Sequence, residues 1–342
     1  LEHHPEAALL DRNVGHVEVE AAEEGRHGTS GLRLANPRLT TDRSQALARR
    51  EGRPTADLVR EADYWAGMNG RDCVTAEDVQ QALDERTHRG NQTAEQLREE
   101  ILEGLLFIAT EGSVVGQVNG LSVSEIGEFT FGQPGRITAR TFMGDDGVIH
   151  IERETAMSGP IHEKGVLTLN AYLGGTYAQH QPLSLNASLT FEQNYAGIEG
   201  DSASSTELYA LLSSLSQIPV WQGISATGSV NQRGEIQPIG AVNEKIEGFF
   251  DICQARGLTG EQGVIIPATN AINLMLREDV VQAVRAGTFH VWPVNSIDEG
   301  IHLLMDRPAG APNAEGEYPE GTVHYAVQTR LRELALEFKN YG

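Results

Sequence analysis

The chain has 342 residues, of which 39% are hydrophobic, so it is long enough to bury the cores of two domains. Its 48 Asp and Glu residues outnumber its 26 Lys and Arg residues, and a surface with a formal net charge of −22 repels nucleic acids and anionic lipids, which excludes both as expected partners. The chain has two cysteines, which lie far apart in the sequence and form no CxxC motif. It has no apolar run as long as a membrane span of roughly 18–20 residues. These features predict a reduced, cytoplasmic protein.

The first third of the chain divides into a polar segment and a group of helices. Residues 1–35 are rich in Glu and Gly and show no periodicity, which predicts an irregular segment. Because this start lacks Met and has no signal-peptide pattern, we expect a fragment of a longer protein. Residues 36–111 read as helical, with Thr75 as an N-cap, Asp78 in the following first turn, and a last helix over about 93–110.

From Gly112 the composition changes to that of strands, followed by an alternation of helices and strands. The predicted strands lie at 117–123, 128–131, 137–142, 148–151, 184–191, 224–239 with its turn, 263–267 and 289–292. The predicted helices begin after Pro160, at 204–216, 241–256 and 271–286, and after Ser296. This order predicts one mixed α/β domain over 112–305.

The end of the chain, 306–342, is a Pro/Gly-rich linker followed by an amphipathic pattern over 323–338. A helix there either packs back on the domain, which is the favoured interpretation, or contacts a partner. The whole sequence lacks a GxxxxGK[ST] motif, so it offers no phosphate-binding loop of that kind and no cofactor is expected in this chain.

A cluster of small polar residues, EGDSASSTELYALL at 199–212, precedes the helix at 204–216. Ser204 and Glu207 have the spacing of a capping box, and this interpretation accounts for both of them. It does not account for Ser202, which follows Gly200 and Asp201 on a tight turn at the start of a helix. There its hydroxyl can stand clear of the backbone, and nearby N–H groups can face a developing oxyanion.

A nucleophilic serine needs a base, and the 11 histidines supply no obvious candidate. His162, His180 and His290 are scattered without a metal-binding pattern, so no metal is expected. Lysine is rare, with three residues against 23 arginines. Lys245 lies near a helix start at the edge of an apolar stripe, where burial and the helix dipole lower a lysine pKa. Lys164 has a similar setting, and the residues alone do not separate the two.

The turn and the lysine together resemble a known family. The stretch 200–204, GDSAS, followed by Lys245 43 residues after Ser202, resembles the Ser–Lys dyad of Lon proteases, in the form of the LonB-like branch. The stretches 226–229, 234–240 and 264–267 are also similar to that family. The resemblance implies a Lon-type protease domain over 112–305, of mixed α/β (α+β) class.

The resemblance also implies roles for individual residues. Ser202 would be the nucleophile and Lys245, rather than Lys164, the general base. Thr227 would hold the lysine amine, and Asp201 would tune the dyad. The backbone N–H groups of Asp201 and Ser202 would form the oxyanion hole. The segment 160–165, which contains His162, Glu163 and Lys164, is expected near the site. The strand 184–192 lacks the histidine that many Lon proteases carry there.

The helical part, 36–111, resembles the small lid of an AAA+ ATPase, which implies a preceding nucleotide-binding core in the parent protein. ATP and Mg²⁺ would then belong to that core. The family further implies an ATP-dependent serine endopeptidase that acts on unfolded polypeptides as a homo-hexameric ring. The alternative function is a proteolytically silent Lon-fold scaffold or partner-binding module whose dyad is unused.

Overall fold

The computed structural model describes residues 55–126, 129–180 and 182–341, so the predicted polar segment 1–35 lies outside the described residues. The helical part contains α1 (Thr55–Met68), α2 (Ala76–Gly90) and α3 (Gln92–Leu102). Thr75 and Asp78 form the capping box of α2, which confirms the predicted N-terminus. Apolar residues of α1 and α2 form a small core of their own: Leu58, Ala62, Ala82 and Leu83.

The third helix ends earlier than the prediction of about residue 110. It stops at Leu102, and Gly104 follows with φ +78°, a left-handed conformation that terminates helices and suits glycine. Leu105 continues the helical spacing of Leu97 and Ile101 in the sequence, but it is 61% exposed. The apolar spacing therefore continues past the point where the backbone leaves the helix.

A seven-stranded mixed sheet forms the centre of the second domain. The strands in chain order are β1 (Ser113–Val114), β2 (Gln117–Ile126), β3 (Phe129–Phe142), β4 (Gly147–His150), β5 (Asn186–Phe191), β6 (Val220–Trp221), β7 (Ile224–Ala226), β8 (Ser229–Val230), β9 (Ile236–Gln237), β10 (Gly263–Pro267) and β11 (His290–Val294). The large sheet has the order β11-β10-β7-β2-β3-β5-β4, while β1 pairs with β6 and β8 with β9. Neighbours from β11 to β2 are parallel, β3 is antiparallel to both its neighbours, and β4 is parallel to β5.

Helices cover both faces of this sheet. They are α4 (Ile151–Glu154), α5 (Pro160–Tyr177), α6 (Ser204–Ser216), α7 (Val242–Arg256), α8 (Glu278–Ala286), α9 (Ile297–Met305) and α10 (Val323–Tyr341). The predicted helix at 271–286 is wrong in its first half, where a 3₁₀ helix spans Ala268–Asn273. There the Asn270 side chain bonds both the N–H and the carbonyl of Ile239, which fixes the segment to the turn before α7.

Two hydrophobic cores lie on opposite faces of the sheet. Along β10 the side chain of Ile265 enters one core, while those of Val264 and Ile266 enter the other, as expected from the alternation of a strand. Leu208 of α6 belongs to the first core and Ile246 of α7 to the second. The two predicted catalytic segments therefore approach the sheet from different sides.

The C-terminal helix packs back on the domain, as the favoured interpretation predicted. Val327, Leu331 and Leu334 of α10 are buried in the same core as α6. At the start of α10, His324 contacts the Tyr177 hydroxyl through Nδ1 and lies 2.9 Å from Asp298 Oδ1 through Nε2. None of the helices in the described ranges is both long and apolar enough to cross a membrane.

Truncating a buried residue of α10 tests this packing. Leu331→Ala removes a side chain that is almost fully buried, so we expect a loss of about 2–5 kcal/mol in the free energy of unfolding. Leu336→Ala on the same helix is the matched control, because that side chain is 64% exposed and its loss is expected to change stability by less than about 0.5 kcal/mol. Urea denaturation measures both, and equal midpoints for the two variants would contradict the packing.

Candidate active site

Ser202 lies on the tight turn between Gly200 and the start of α6. Gly200 has φ +86°, a conformation that suits glycine, and α6 begins two residues after the serine. The Ser202 carbonyl accepts a hydrogen bond of 2.8 Å from the N–H of Gly228, and the Gly228 carbonyl accepts one of 3.1 Å from Ser205. These reciprocal bonds hold the serine turn against the segment that follows β7.

The predicted capping box at this helix start is wrong. The N-cap position is Ala203, and no side chain caps the helix. The Ser204 hydroxyl instead accepts a hydrogen bond of 3.0 Å from the N–H of Val230. The Glu207 carboxylate is fully buried and lies 2.8 Å from His150 Nε2. Tertiary partners on other elements thus replace the local cap that the spacing suggested.

Lys245 reaches the serine from the first turns of α7, on the other side of the sheet. Its side chain is 2% exposed, and its Nζ lies 2.8 Å from Ser202 Oγ and 3.2 Å from Thr227 Oγ1. Thr227 directly follows β7, a parallel strand. The serine and the lysine therefore meet beyond the carboxyl end of β7, where open parallel sheets commonly form sites.

Burial changes the protonation of the lysine. Removal from water disfavours the ammonium and lowers the pKa of Lys245 to about 8, although the negative charge of Asp201 opposes this shift. An amine with this pKa is neutral in a substantial fraction of molecules near pH 8. It can therefore accept a proton from a hydroxyl within hydrogen-bond distance.

Thr227 and Asp201 are both fixed by neighbouring groups. The N–H of Thr227 donates to the Ile265 carbonyl at 3.0 Å, and its hydroxyl donates to the Ser202 carbonyl at 3.2 Å. Asp201 Oδ2 accepts a hydrogen bond of 2.9 Å from the Ser229 hydroxyl. The threonine thus contacts both members of the pair, whereas Asp201 acts on the lysine through its charge.

The backbone beside the serine leaves donors available. The N–H groups of Asp201, Ser202 and Ala203 donate to no acceptor within the described ranges, while those of Ser204 and Ser205 donate to the carbonyls of Asp201 and Gly228. Ser202 itself is only partly buried, so a substrate carbonyl could reach this turn. The geometry is compatible with the predicted oxyanion site made of the Asp201 and Ser202 N–H groups.

The segment 160–165 lies against the serine turn, but its side chains face elsewhere. A Cβ placed on Gly165 would be 3.4 Å from Asp201 Cβ, which is ordinary van der Waals contact. Lys164 is exposed, so the structure does not support it as the rival base. Glu163 is half-buried near the Ser158 hydroxyl, at 3.4 Å. His162 is buried and faces Glu207 rather than the serine.

Two buried residues near this segment were missed by the sequence analysis. His150 ends β4 and lies beside Glu207. Glu152 lies in α4 and accepts a hydrogen bond from β5. The signal was present in the stretch 148–152, VIHIE, because a His and a Glu among apolar residues need partners if they are buried. Without the fold, nothing indicated that those partners would include His162 and Glu207.

Comparison with known families agrees with this geometry. The family model "Lon protease (S16) C-terminal proteolytic domain" matches residues 196–307, which include the serine turn and the lysine helix. The model "Archaeal LonB, AAA+ ATPase LID domain" matches residues 45–89. The chain belongs to the Lon protease family. It joins a helical AAA+ lid domain to a mixed α/β Lon-type protease domain, as the sequence predicted.

Bacterial and archaeal relatives extend the match beyond these two regions. A Lon protease homolog of Escherichia coli strain K12 is 42% identical over 251 residues, which cover 73% of this chain and 43% of the relative. A Lon protease homolog of Haemophilus influenzae is 41% identical over 70% of this chain and 40% of its own length. The archaeal Lon protease of Pyrococcus abyssi is 32% identical over 74% of this chain and 24% of its own length. The chain thus spans about two fifths of the length of the bacterial relatives.

Proposed function

We propose that this Lon-type domain is a serine endopeptidase in which Ser202 is the nucleophile and Lys245 the general base. The observation that carries the proposal is the 2.8 Å contact between the Ser202 hydroxyl and an almost fully buried lysine amine. A nucleophile–base pair requires hydrogen-bond reach of roughly 2.6–3.2 Å, and this pair lies within it. The lowered pKa of Lys245 supports the same assignment, since a base must be neutral before it acts.

The reaction follows from these positions. Neutral Lys245 removes the proton from Ser202 Oγ as the oxygen attacks a peptide carbonyl. The N–H groups of Asp201 and Ser202 stabilise the oxyanion of the tetrahedral intermediate. The Lys245 ammonium then gives its proton to the leaving amine, and an acyl-enzyme remains on Ser202. Water, deprotonated by Lys245, hydrolyses that ester and regenerates the free serine. Thr227 keeps the amine oriented in both steps.

The activity of the parent protein is part of the same proposal. The match to an AAA+ lid supports a preceding ATPase core, which would bind ATP and Mg²⁺ and drive polypeptides toward the protease domain. The names of the relatives support proteolysis by the full-length protein. We therefore propose ATP-dependent hydrolysis of unfolded polypeptides by a homo-hexameric ring.

Covalent labelling tests the assignment independently of substrate choice. A fluorophosphonate reacts with an activated serine, so we expect one label per active chain, attached to Ser202. The labelling rate should rise about tenfold per pH unit below the pKa of Lys245 and level off above about pH 8, because only the neutral lysine accepts the serine proton. Mass spectrometry of the labelled peptide identifies the residue, and full-length protein with ATP serves as the reference sample.

Asp201→Asn sharpens this experiment. The Asp201 charge raises the pKa of Lys245, so its removal should move the midpoint of the labelling profile to lower pH. Asp145→Asn, at an exposed aspartate, is the matched control and should leave the midpoint unchanged. Labelling of a residue other than Ser202 would overturn the assignment. If neither labelling nor hydrolysis occurs in the full-length protein with ATP, the silent scaffold is the function instead.

A further inference from the structure

Three potential metal ligands converge in the interior beside the serine helix, outside the Ser–Lys pair. His150 lies at the end of β4, His162 in the first turn of α5 and Glu207 in the first turn of α6, and all three are buried. His150 Nε2 is 2.8 Å from Glu207 Oε1 and 3.2 Å from His162 Nε2. His162 Nε2 is 3.5 Å from the same carboxylate oxygen. Within the described ranges this is the one such group of His, Cys, Asp or Glu side chains.

The distances between these nitrogen and oxygen atoms match the distances between ligands around one small metal ion. Ligands at about 2.0–2.1 Å from a tetrahedral zinc ion lie about 3.3 Å from one another. The three observed distances, 2.8, 3.2 and 3.5 Å, scatter around that value. The second carboxylate oxygen, Glu207 Oε2, is also buried and has no hydrogen-bond partner, so it is free to bind the same ion as the other half of a bidentate carboxylate.

We propose that His150, His162 and Glu207 form a structural zinc site. Imidazole nitrogen and carboxylate oxygen are ligands that zinc accepts, and two histidines with one glutamate also occur at catalytic zinc ions. Here all three side chains are buried, and the closed setting favours a structural ion over a catalytic one. The site would join β4, α5 and α6 at one point. Because Glu207 lies five residues after Ser202, the ion would fix the helix whose start presents the nucleophile.

Glu152 provides the outer contact that metal-bound histidines usually have. Its Oε2 lies 3.1 Å from His150 Nδ1, the ring nitrogen opposite the proposed ion, which is an ion-pair distance, although the two atoms are not aligned as a hydrogen bond. Its Oε1 accepts hydrogen bonds of 2.8 Å from the N–H of Phe191 and the hydroxyl of Thr190. In a zinc-bound site, a small rotation of the imidazole would align Nδ1–H with this carboxylate, which would hold the proton on Nδ1 and leave Nε2 free to bind the metal.

The charges of the cluster also favour a bound dication. Without an ion, the buried carboxylates Glu152 and Glu207 need positive partners. The Nε2 atoms of His150 and His162 face each other at 3.2 Å, where two N–H groups would conflict and an ion between two unprotonated nitrogens would not. Zn²⁺ with two neutral imidazoles and two carboxylates gives zero net charge without that conflict.

Metal analysis of the full chain tests the site directly. The protein is purified without a metal-affinity step, dialysed against metal-free buffer, and assayed for zinc by mass spectrometry before and after addition of ZnCl₂. We expect one zinc per chain and a higher Tm for the zinc-loaded protein than for the chelator-treated protein. His162→Ala and Glu207→Gln should lose the bound zinc and the Tm difference.

Two further variants keep the test decisive. His180→Ala, at an exposed histidine, is the matched control and should bind zinc like the original chain. Glu152→Gln leaves all three ligands in place and should weaken zinc binding by about 10–100-fold, even if the ligand variants fail to fold. The proposal is wrong if the original chain binds no zinc and shows no Tm response to it. It is equally wrong if Glu152→Gln and folded His162→Ala bind zinc unchanged.

Discussion

Replacing Ser202 by alanine or Lys245 by methionine is expected to reduce peptide-bond hydrolysis by at least about 10³-fold, since either change removes half of a unit that acts together. The double variant should lose little more than either single variant, because the second group has no function without the first. Methionine suits the lysine position, since Lys245 is buried and an unbranched apolar side chain fills similar space. The measurement is kcat/KM for a fluorescent casein with the full-length protein and ATP.

The control for this pair is the other helix-start lysine. Lys164→Met changes the same residue type, but Lys164 is exposed and is not in contact with the serine, so hydrolysis should stay within about twofold of the original rate. Additive losses in the double variant would show that Ser202 and Lys245 act separately. A Lys164→Met variant as impaired as Lys245→Met would contradict the choice of base.

Substituting Gly132 by alanine should disable the same site from a distance. This glycine lies in β3 where the lysine helix crosses it, and an added Cβ would overlap the carbonyl oxygen of Glu244 and lie 2.7 Å from the Cα of Lys245. A Cβ on Gly248 would likewise overlap the carbonyl oxygen of Gly132, so the strand and the helix are in close contact at both glycines and neither backbone can move away easily. We expect α7 to shift, with a loss of about 1–3 kcal/mol in the free energy of unfolding.

The effect of Gly132→Ala on catalysis should exceed its effect on stability. A displacement of the base by about 1 Å is enough to reduce the rate by about 10²-fold, while the fold remains. Gly135→Ala on the same strand is the matched control, because its added Cβ meets no atom within 4 Å. Casein hydrolysis and urea denaturation are measured on both variants. If Gly132→Ala hydrolyses casein at the rate of Gly135→Ala, the close approach does not position the lysine.

Most helices and strands could be predicted because their signals are local. The helix at 204–216 has the predicted bounds, since a run of apolar residues at helical spacing follows a turn. Errors arose where a local signal met a stronger constraint. The apolar periodicity predicted that α3 continues past Gly104, but there the backbone adopts a left-handed conformation that ends the helix. The periodicity also joined the 3₁₀ segment Ala268–Asn273 to α8, because the Asn270 side-chain bonds are invisible in the sequence.

The site shows the same division between local and tertiary information. The glycine turn singled out Ser202, and the rarity of lysine and two helix starts gave Lys245 and Lys164 as candidate bases, between which the resemblance to Lon proteases favoured Lys245. The contact between Ser202 and Lys245 could not be predicted in this way, since α6 and α7 lie on opposite faces of the sheet and meet only past the end of β7. The physical difference between Lys245 and Lys164 is burial, which the periodicity of one helix does not fix and which the structure supplies.

Glu207 marks the limit of what the sequence by itself determined. Residue types and spacing determined the secondary structure, the α/β class and the chemistry available to the serine and lysine. They also suggested a cap at Ser204 and Glu207, because a local partner is the nearest one a polar side chain can have. Only the tertiary structure decided that Glu207 turns inward to His150 and His162, residues 57 and 45 positions away. Burial made that choice, since a carboxylate removed from water must find partners wherever the packing brings them.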